Sequence, residues 1–262
     1  MNIRLFSDLH LEFGPFDPGE GEVLILAGDI CVADDIEFQT SAGKSFLEFF
    51  DKCARRYDKV FYTFGNHEYY YSDFNKVDGI LRAAINPKIT ILNNQFENYN
   101  GINFIGTTLW TDFMGGNGVE MEMAARYMSD YHIIQNGNRK LSPEDILNAH
   151  TESVNYITNT VPSLSGPVII FSHHSPSFKS LEDSNYGIDC ASGYASNLEN
   201  VMKSNSKIVT WCHGHIHETK NYIVGNCNVR SNPRGYHPNS LNQEFSETFN
   251  LTVGAIPAII KR

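Results

Sequence analysis

The sequence predicts an α/β fold, on three observations. Short continuous apolar runs such as Val23-Leu24-Ile25-Leu26-Ala27 suit strands buried on both faces, as in parallel sheets. In the first third of the chain such runs alternate with segments of helical spacing, a βαβ pattern. From Asn100-Gly101, the strongest hairpin-turn signal present, the connections change to hairpins, so the sheets should be mixed.

Residues 2–7 alternate and read as a strand ending in Ser7-Asp8-Leu9-His10. In extended chain, positions 8 and 10 point to the same side, where a carboxylate and an imidazole can grip one ion. The run 23–27 ends in Gly28-Asp29-Ile30. Residues 41–57 carry Phe46, Leu47, Phe49, Phe50 and Cys53 on one helical stripe. Val60-Phe61-Tyr62-Thr63-Phe64 is a strand broken by Gly65, and Asn66, His67 and Glu68 follow at once. Residues 73–85 read as a helix closed before Pro87, and 89–92 as a strand. Asn100-Gly101 joins strands 95–99 and 102–105.

Residues 113–160 differ. Gly115-Gly116-Asn117-Gly118 is a flexible entry, 119–130 and 143–159 look helical, and Ser142-Pro143-Glu144-Asp145 is a good helix start. The order then resumes. Pro167-Val168-Ile169-Ile170-Phe171 is a strand ending in Ser172-His173-His174-Ser175-Pro176. Residues 195–204 form a short helix. Residues 207–212 form a strand ending in His213-Gly214-His215-Ile216-His217, and 220–231 a hairpin around Gly225-Asn226. We expect one domain over 1–262 with a helical insertion at 113–160.

Composition narrows the class. The chain has 262 residues, 41% hydrophobic and 19% charged, a normal globular mix. No apolar run approaches the ~20 residues of a membrane span. No signal-peptide stretch follows Met1, so the sequence reads as cytoplasmic. The five cysteines, Cys31, Cys53, Cys190, Cys212 and Cys227, form no Cys-x-x-Cys pair and read as reduced structural thiols. A net charge of −10 argues against a nucleic-acid polymer as partner.

The polar strand ends hold Asp8, His10, Asp29, Asn66, His67, His173, His215 and His217. Carboxylate and amide oxygens suit hard cations, and imidazoles suit borderline ones. Singly, each group is also ordinary turn chemistry; their recurrence at successive strand ends is the informative fact. In this order, Asp-x-His, Gly-Asp, Gly-Asn-His-Glu, His and Gly-His-x-His, the chain resembles the calcineurin-like metallophosphoesterase family over residues 3–236.

The resemblance implies a four-layer α/β/β/α sandwich: two mixed sheets face to face, helices outside, and two metal ions at one edge. Asp8, His10, Asp29 and His217 would hold the first ion. Asp29, Asn66, His173 and His215 would hold the second, with Asp29 bridging through its two oxygens. Mn²⁺, Fe or Zn²⁺ fits this donor mixture better than Ca²⁺. Two cations would lower the pKa of a shared water and screen phosphate charge, so that hydroxide can attack phosphorus in line. His67 is not assigned to a metal. It is placed to protonate the leaving oxygen or stabilise the transition state, or else to hold its loop by a hydrogen bond. His174 and His213 adjoin ligands and point to the other face, as packing groups.

Asn66, Arg230 and Arg234 are candidate substrate contacts, since Arg pairs with phosphate oxygens in bidentate fashion. Asn232-Pro233-Arg234-Gly235-Tyr236 resembles a motif near the C-terminus of small bacterial and phage members. Its other reading is a rigid turn closing the sheet. The expected function is hydrolysis of a small phosphomonoester or phosphodiester, with a nucleotide among the candidates, and residues 113–160 capping the metal edge. The other readings are a protein serine/threonine phosphatase with an extended groove, a nuclease, which should carry more positive charge, a non-catalytic scaffold, and a metal-storage protein, which would leave His67 unexplained.

Overall fold

A computed structural model describes residues 1–182 and 188–251 of the chain. Strands β1 (Ile3–Phe6), β2 (Gly21–Ala27), β3 (Tyr57–Thr63) and β4 (Ile89–Ile91) are parallel. Helices α1 (Ala33–Glu37), α2 (Ser41–Arg56) and α3 (Val77–Ala84) connect them. A hairpin of β5 (Gln95–Tyr99) and β6 (Ile102–Thr107) opens a second sheet. Its turn puts Asn100 at φ 52° and Gly101 at φ 81°, the double left-handed conformation that Asn-Gly favours.

The inserted segment follows, with α4 (Phe113–Gly116), α5 (Gly118–Tyr127), α6 (Asp130–Ile133), a ribbon of β7 (Gln135–Asn136) and β8 (Arg139–Lys140), and α7 (Pro143–Thr160). The second sheet resumes with β9 (Val168–Ser172). After α8 (Glu199–Ser204) come β10 (Ile208–His213), β11 (Lys220–Val224) and β12 (Cys227–Ser231). β13 (Gly235–Tyr236) pairs with β14 (Ser240–Leu241), and β15 (Asn250–Leu251) returns as an antiparallel edge of the first sheet. The sheet orders are β15-β1-β2-β3-β4 and β11-β12-β10-β9-β6-β5.

Alternation along the strands sorts side chains into layers. Leu5, Val23, Ile25 and Phe61 face Phe104, Ile169, Phe171 and Cys212 between the sheets. Phe61 stacks on Phe104 with centroids 4.3 Å apart. Truncating either ring costs about 3–5 kcal/mol by general experience of such cores. The opposite faces of β1, β2 and β3 carry Phe6, Leu24, Leu26, Val60 and Tyr62 onto Phe46, Phe50 and Cys53 of α2. Ile105, Ile170 and Trp211 pack on Ile157 of α7 and Met202 of α8. The result is two mixed sheets face to face with helices outside, the α/β/β/α sandwich.

Three local expectations change. The helix expected at 73–85 begins at Val77, because the Asp73 carboxylate takes the Asn75 N–H at 2.9 Å and makes a turn first. The helix expected at 195–204 begins at Glu199, because the Ser196 N–H donates to Ser175 O at 3.1 Å and the Ser175 N–H to Tyr194 O at 3.1 Å, which holds the segment in a bridge outside the helix. Met114 and Gly115 lie in left-handed conformations within the glycine-rich entry, which is a turn ahead of α5.

Candidate metal centre

Parallel strands with polar ends bring their polar residues to one edge, and both sheets do so here. Asp8, Asp29 and Asn66 follow β1, β2 and β3, while His173 and His215 follow β9 and β10. The strand ends are not extended, which corrects the reason expected for pairing positions 8 and 10. Asp8 (φ 52°), His10 (φ 45°), Asp29 (φ 55°), His215 (φ 69°) and His217 (φ 56°) are all left-handed. Each such residue stores strain of about 1 kcal/mol or more, held by the surrounding packing. Turning back at the strand ends aims the side chains at one another. Two glycines allow the close approach. A Cβ on Gly65 would lie 2.2 Å from Asp29 Oδ1, and one on Gly214 would lie 2.6 Å from Asp8 Oδ2.

Three groups of donor atoms result among the described residues, His10, Glu12 and His67 being one and the other two sharing Asp29. Asp8, His10, Asp29 and His217 form the first of the pair that shares Asp29, all buried. Asp29, His173 and His215 form the other. Asp29 Oδ2 is common to both, 3.7 Å from His10 Nε2 and 3.3 Å from His173 Nε2. In the first group His10 Nε2 faces His217 Nε2 at 3.1 Å, and Asp8 Oδ2 is buried without a hydrogen-bond partner among the described residues. Facing imidazole nitrogens beside an unpaired carboxylate oxygen suit a cation between them. In the second, His173 gives its Nδ1–H to Ala27 O at 3.0 Å, which leaves the Nε2 lone pair facing Asn66 Oδ1 at 3.0 Å and His215 Nδ1 at 3.2 Å, acceptors converging on one point. That donor set fits a divalent ion.

Carboxylates and imidazoles of the cluster shift one another's pKa values. Burial would raise the Asp29 pKa, but His173 and His67 outweigh it and hold it well below the usual range. Burial would lower His67, but Asp29 and the Glu12 hydrogen bond push it up to about 9.

Glu68 locks the two loops that carry Asp29 and Asn66. Its buried carboxylate accepts from the N–H groups of Asp29 (2.9 Å), Ile30 (2.8 Å) and Gly65 (2.6 Å) and from the Tyr62 hydroxyl (2.7 Å).

A family model for calcineurin-like phosphoesterases matches residues 1–219. The chain belongs to the calcineurin-like phosphoesterase family. Membership implies metal-dependent phosphoester hydrolysis, and the buried Asp/His cluster fits a metal site. The chain is 30% identical over 267 residues to an uncharacterized protein, L509, of Acanthamoeba polyphaga mimivirus, covering 89% of this chain and 91% of that one. Among solved structures it is similar to a phosphopantetheinyl hydrolase from Mycobacterium tuberculosis (17% identity, 90% of this chain, 89% of that chain, TM-score 0.68). A Staphylococcus aureus protein provisionally named a 5′-nucleotidase matches at 15% identity and TM-score 0.51, over 88% of this chain and 48% of that one. These two likenesses show the phosphoesterase fold.

A cleft of about 150 Å³ opens on the cluster, lined by Asn66, His67, Tyr70, Tyr127, Met128 and Asp130 among others. His67 faces it, with Nε2 3.9 Å from Asp29 Oδ2 and 3.4 Å from the Tyr236 hydroxyl. The arginines lie elsewhere. Arg234 donates to the carbonyls of Leu9 (3.2 Å), Gly14 (3.3 Å) and Pro15 (3.2 Å), so it fastens a loop. Arg230 sits on β12 beside Cys212, a residue of the core between the sheets. Neither lines the cleft. His174 and His213 are buried, the first against Thr108 O at 3.2 Å, the second against the Ser180 hydroxyl at 2.9 Å.

Glu12, Tyr70, Asp130 and Tyr236 escaped the sequence reading as site residues. Glu12 stands two positions after His10, which was the one available signal. Asp130 lies in the insertion, where nothing local marks it. No helix among the described residues is long and apolar enough to cross a membrane.

Proposed function

We propose that the protein is a dinuclear metal-dependent phosphohydrolase acting on a small phosphorylated substrate. Asp8, His10, Asp29 and His217 would hold one ion, and Asp29, Asn66, His173 and His215 the other. The single observation that carries this reading is the Asp29 carboxylate, whose Oδ2 belongs to both donor groups. Bound Mn²⁺, Fe or Zn²⁺ would supply a low-pKa water and charge neutralisation at the phosphate.

The chain's own groups do the rest. Asn66 keeps its amide oxygen toward the cluster because Nδ2 is tied to Asp130. His67 faces the cleft and would give an Nε2 proton to the leaving oxygen. Tyr236 and Tyr70 wall it, their rings 4.4 Å from His10 and 4.2 Å from His67. The insertion supplies Tyr127, Met128, Ser129 and Asp130 to the cleft, which supports its role as a cap restricting the site to small substrates. Turnover of mono- and diesters with Mn²⁺ added tests the reading. Hydrolysis that is abolished by chelation and restored by metal supports it, whereas metal uptake without turnover of any ester contradicts it.

A further inference from the structure

One oxygen of Glu12 meets two histidines of different roles. Oε1 lies 3.2 Å from His10 Nδ1 and 2.9 Å from His67 Nδ1. A carboxylate oxygen with two imidazole nitrogens at hydrogen-bond distance is the shared acceptor of both. Each histidine must therefore present Nδ1–H to Glu12. That fixes the opposite nitrogen of each ring, and both Nε2 atoms then face Asp29 Oδ2, at 3.7 Å and 3.9 Å. The two rings lie against each other, centroids 4.3 Å apart.

Glu12 is itself on a held loop. Arg234 grips the carbonyls of Leu9 on one side of it and Gly14 and Pro15 on the other, and its guanidinium lies over the Phe16 ring at 5.2 Å. The backbone of Arg234 donates to Ser7 O at 3.0 Å, so the same residue clips the strand end before Asp8.

We propose that Glu12 is a positioning residue that holds the Nδ1–H of His10 and of His67 together and so orients both rings, and that Arg234 holds its loop for this purpose. His10 is thereby left with a lone pair on Nε2 for a metal. His67 is left with its transferable proton on Nε2, facing the cleft, while its Nδ1–H stays on Glu12 throughout. The inference rests on the reading of His67 as leaving-group acid and of His10 as ligand. Carboxylate partners of metal-binding histidines commonly matter 10–100-fold in affinity or activity.

The test uses the full chain as Glu12→Ala and Glu12→Gln, with His67→Ala as reference. Chelator competition measures Mn²⁺ affinity, and aryl phosphodiesters of graded leaving-group pKa measure kcat at saturating Mn²⁺. Glu12→Ala should weaken one Mn²⁺ site by about 10–100-fold and steepen the leaving-group dependence of kcat. Glu12→Gln still offers an acceptor oxygen in the same place and should recover most of both. Adding Glu12→Ala to His67→Ala should not change the leaving-group slope further. Arg234→Lys should show the Glu12→Ala pattern at smaller size.

A purely structural residue would lower stability and leave Mn²⁺ affinity and leaving-group slope untouched in Glu12→Ala, which overturns the proposal. If Glu12→Ala does not fold, Arg234→Lys decides on the same two readouts: a partial loss of Mn²⁺ affinity with a steeper slope supports the proposal, and unchanged affinity and slope overturn it. If His67→Ala has a wild-type slope, the acid role of His67 fails by itself, and the Mn²⁺ affinity of Glu12→Ala still tests the tie to His10.

Discussion

Asp130 accepts a hydrogen bond of 2.9 Å from the amide nitrogen of Asn66, and this bond joins the inserted segment to a candidate metal ligand. An amide held by its nitrogen has its oxygen directed the other way, and Asn66 Oδ1 lies 3.0 Å from His173 Nε2. Asp130→Ala should therefore weaken one bound ion by about 10–100-fold, the usual cost of losing a partner of a ligand, and spare the other. Asp130→Asn keeps an acceptor and should lose less. Chelator competition with Mn²⁺ measures both, and equal losses at the two sites would contradict the assignment.

The insertion is thus tied to the site, and it is also tied to the core. Tyr131, Ile134, Leu141 and Ile146 are buried with Phe50 and Tyr62. Excising the segment would open that core, so its effect on specificity is better tested at the cleft. Tyr127→Ala and Met128→Ala should retain metal content and stability while changing relative kcat/KM among mono- and diester substrates. An unchanged substrate profile in both variants would contradict a capping role.

His67→Ala should retain both metals and lose kcat by about 10²–10⁴-fold, the range for general acid–base groups. The loss should shrink for p-nitrophenyl esters, whose leaving group needs no proton. An equal loss across leaving groups would favour stabilisation of transition-state charge instead.

A stability prediction concerns α7. Its Ser142–Asp145 capping box is closed by Asp145 Oδ2, which accepts from Ser142 N at 2.9 Å and pairs with Arg139. The Arg139 contact, against partial burial and together with Ser142, holds the Asp145 carboxyl well below its usual range. A depressed folded-state pKa contributes stability above the unfolded pKa, near 3.9, and loses it as pH falls through the folded value. Asp145→Asn should therefore cost about 1 kcal/mol or less at pH 7, as for other helix caps and exposed pairs. The gap between thermal melts of the two proteins should narrow progressively as pH falls below about 4; a constant difference would place the effect elsewhere.

The layered fold was legible because buried parallel strands leave continuous apolar runs, and Asn100-Gly101 announces its own turn. The site was legible because its side chains follow strand ends directly. What stayed hidden depended on contacts distant in sequence. Asp130 reaches Asn66 across the insertion, and Arg234 reaches carbonyls more than two hundred residues earlier, so a cation that looked like a phosphate contact fastens a loop instead. The left-handed turn at Asp8 and His10 was equally unreadable, since neither residue type demands it. Glu12 and Glu68 stand close to site residues in sequence, but nothing local shows that their carboxylates turn inward to a network.

The measurement that bears most directly on the dinuclear site is elemental analysis of wild type and Asp29→Ala after loading with Mn²⁺ and removal of free metal. With Asp29 Oδ2 in both donor groups, the wild type should hold two ions per chain and Asp29→Ala should lose both, while His10→Ala weakens mainly one. Two tightly held ions in Asp29→Ala, or a wild type that saturates at one, would contradict a shared carboxylate at the centre of this site.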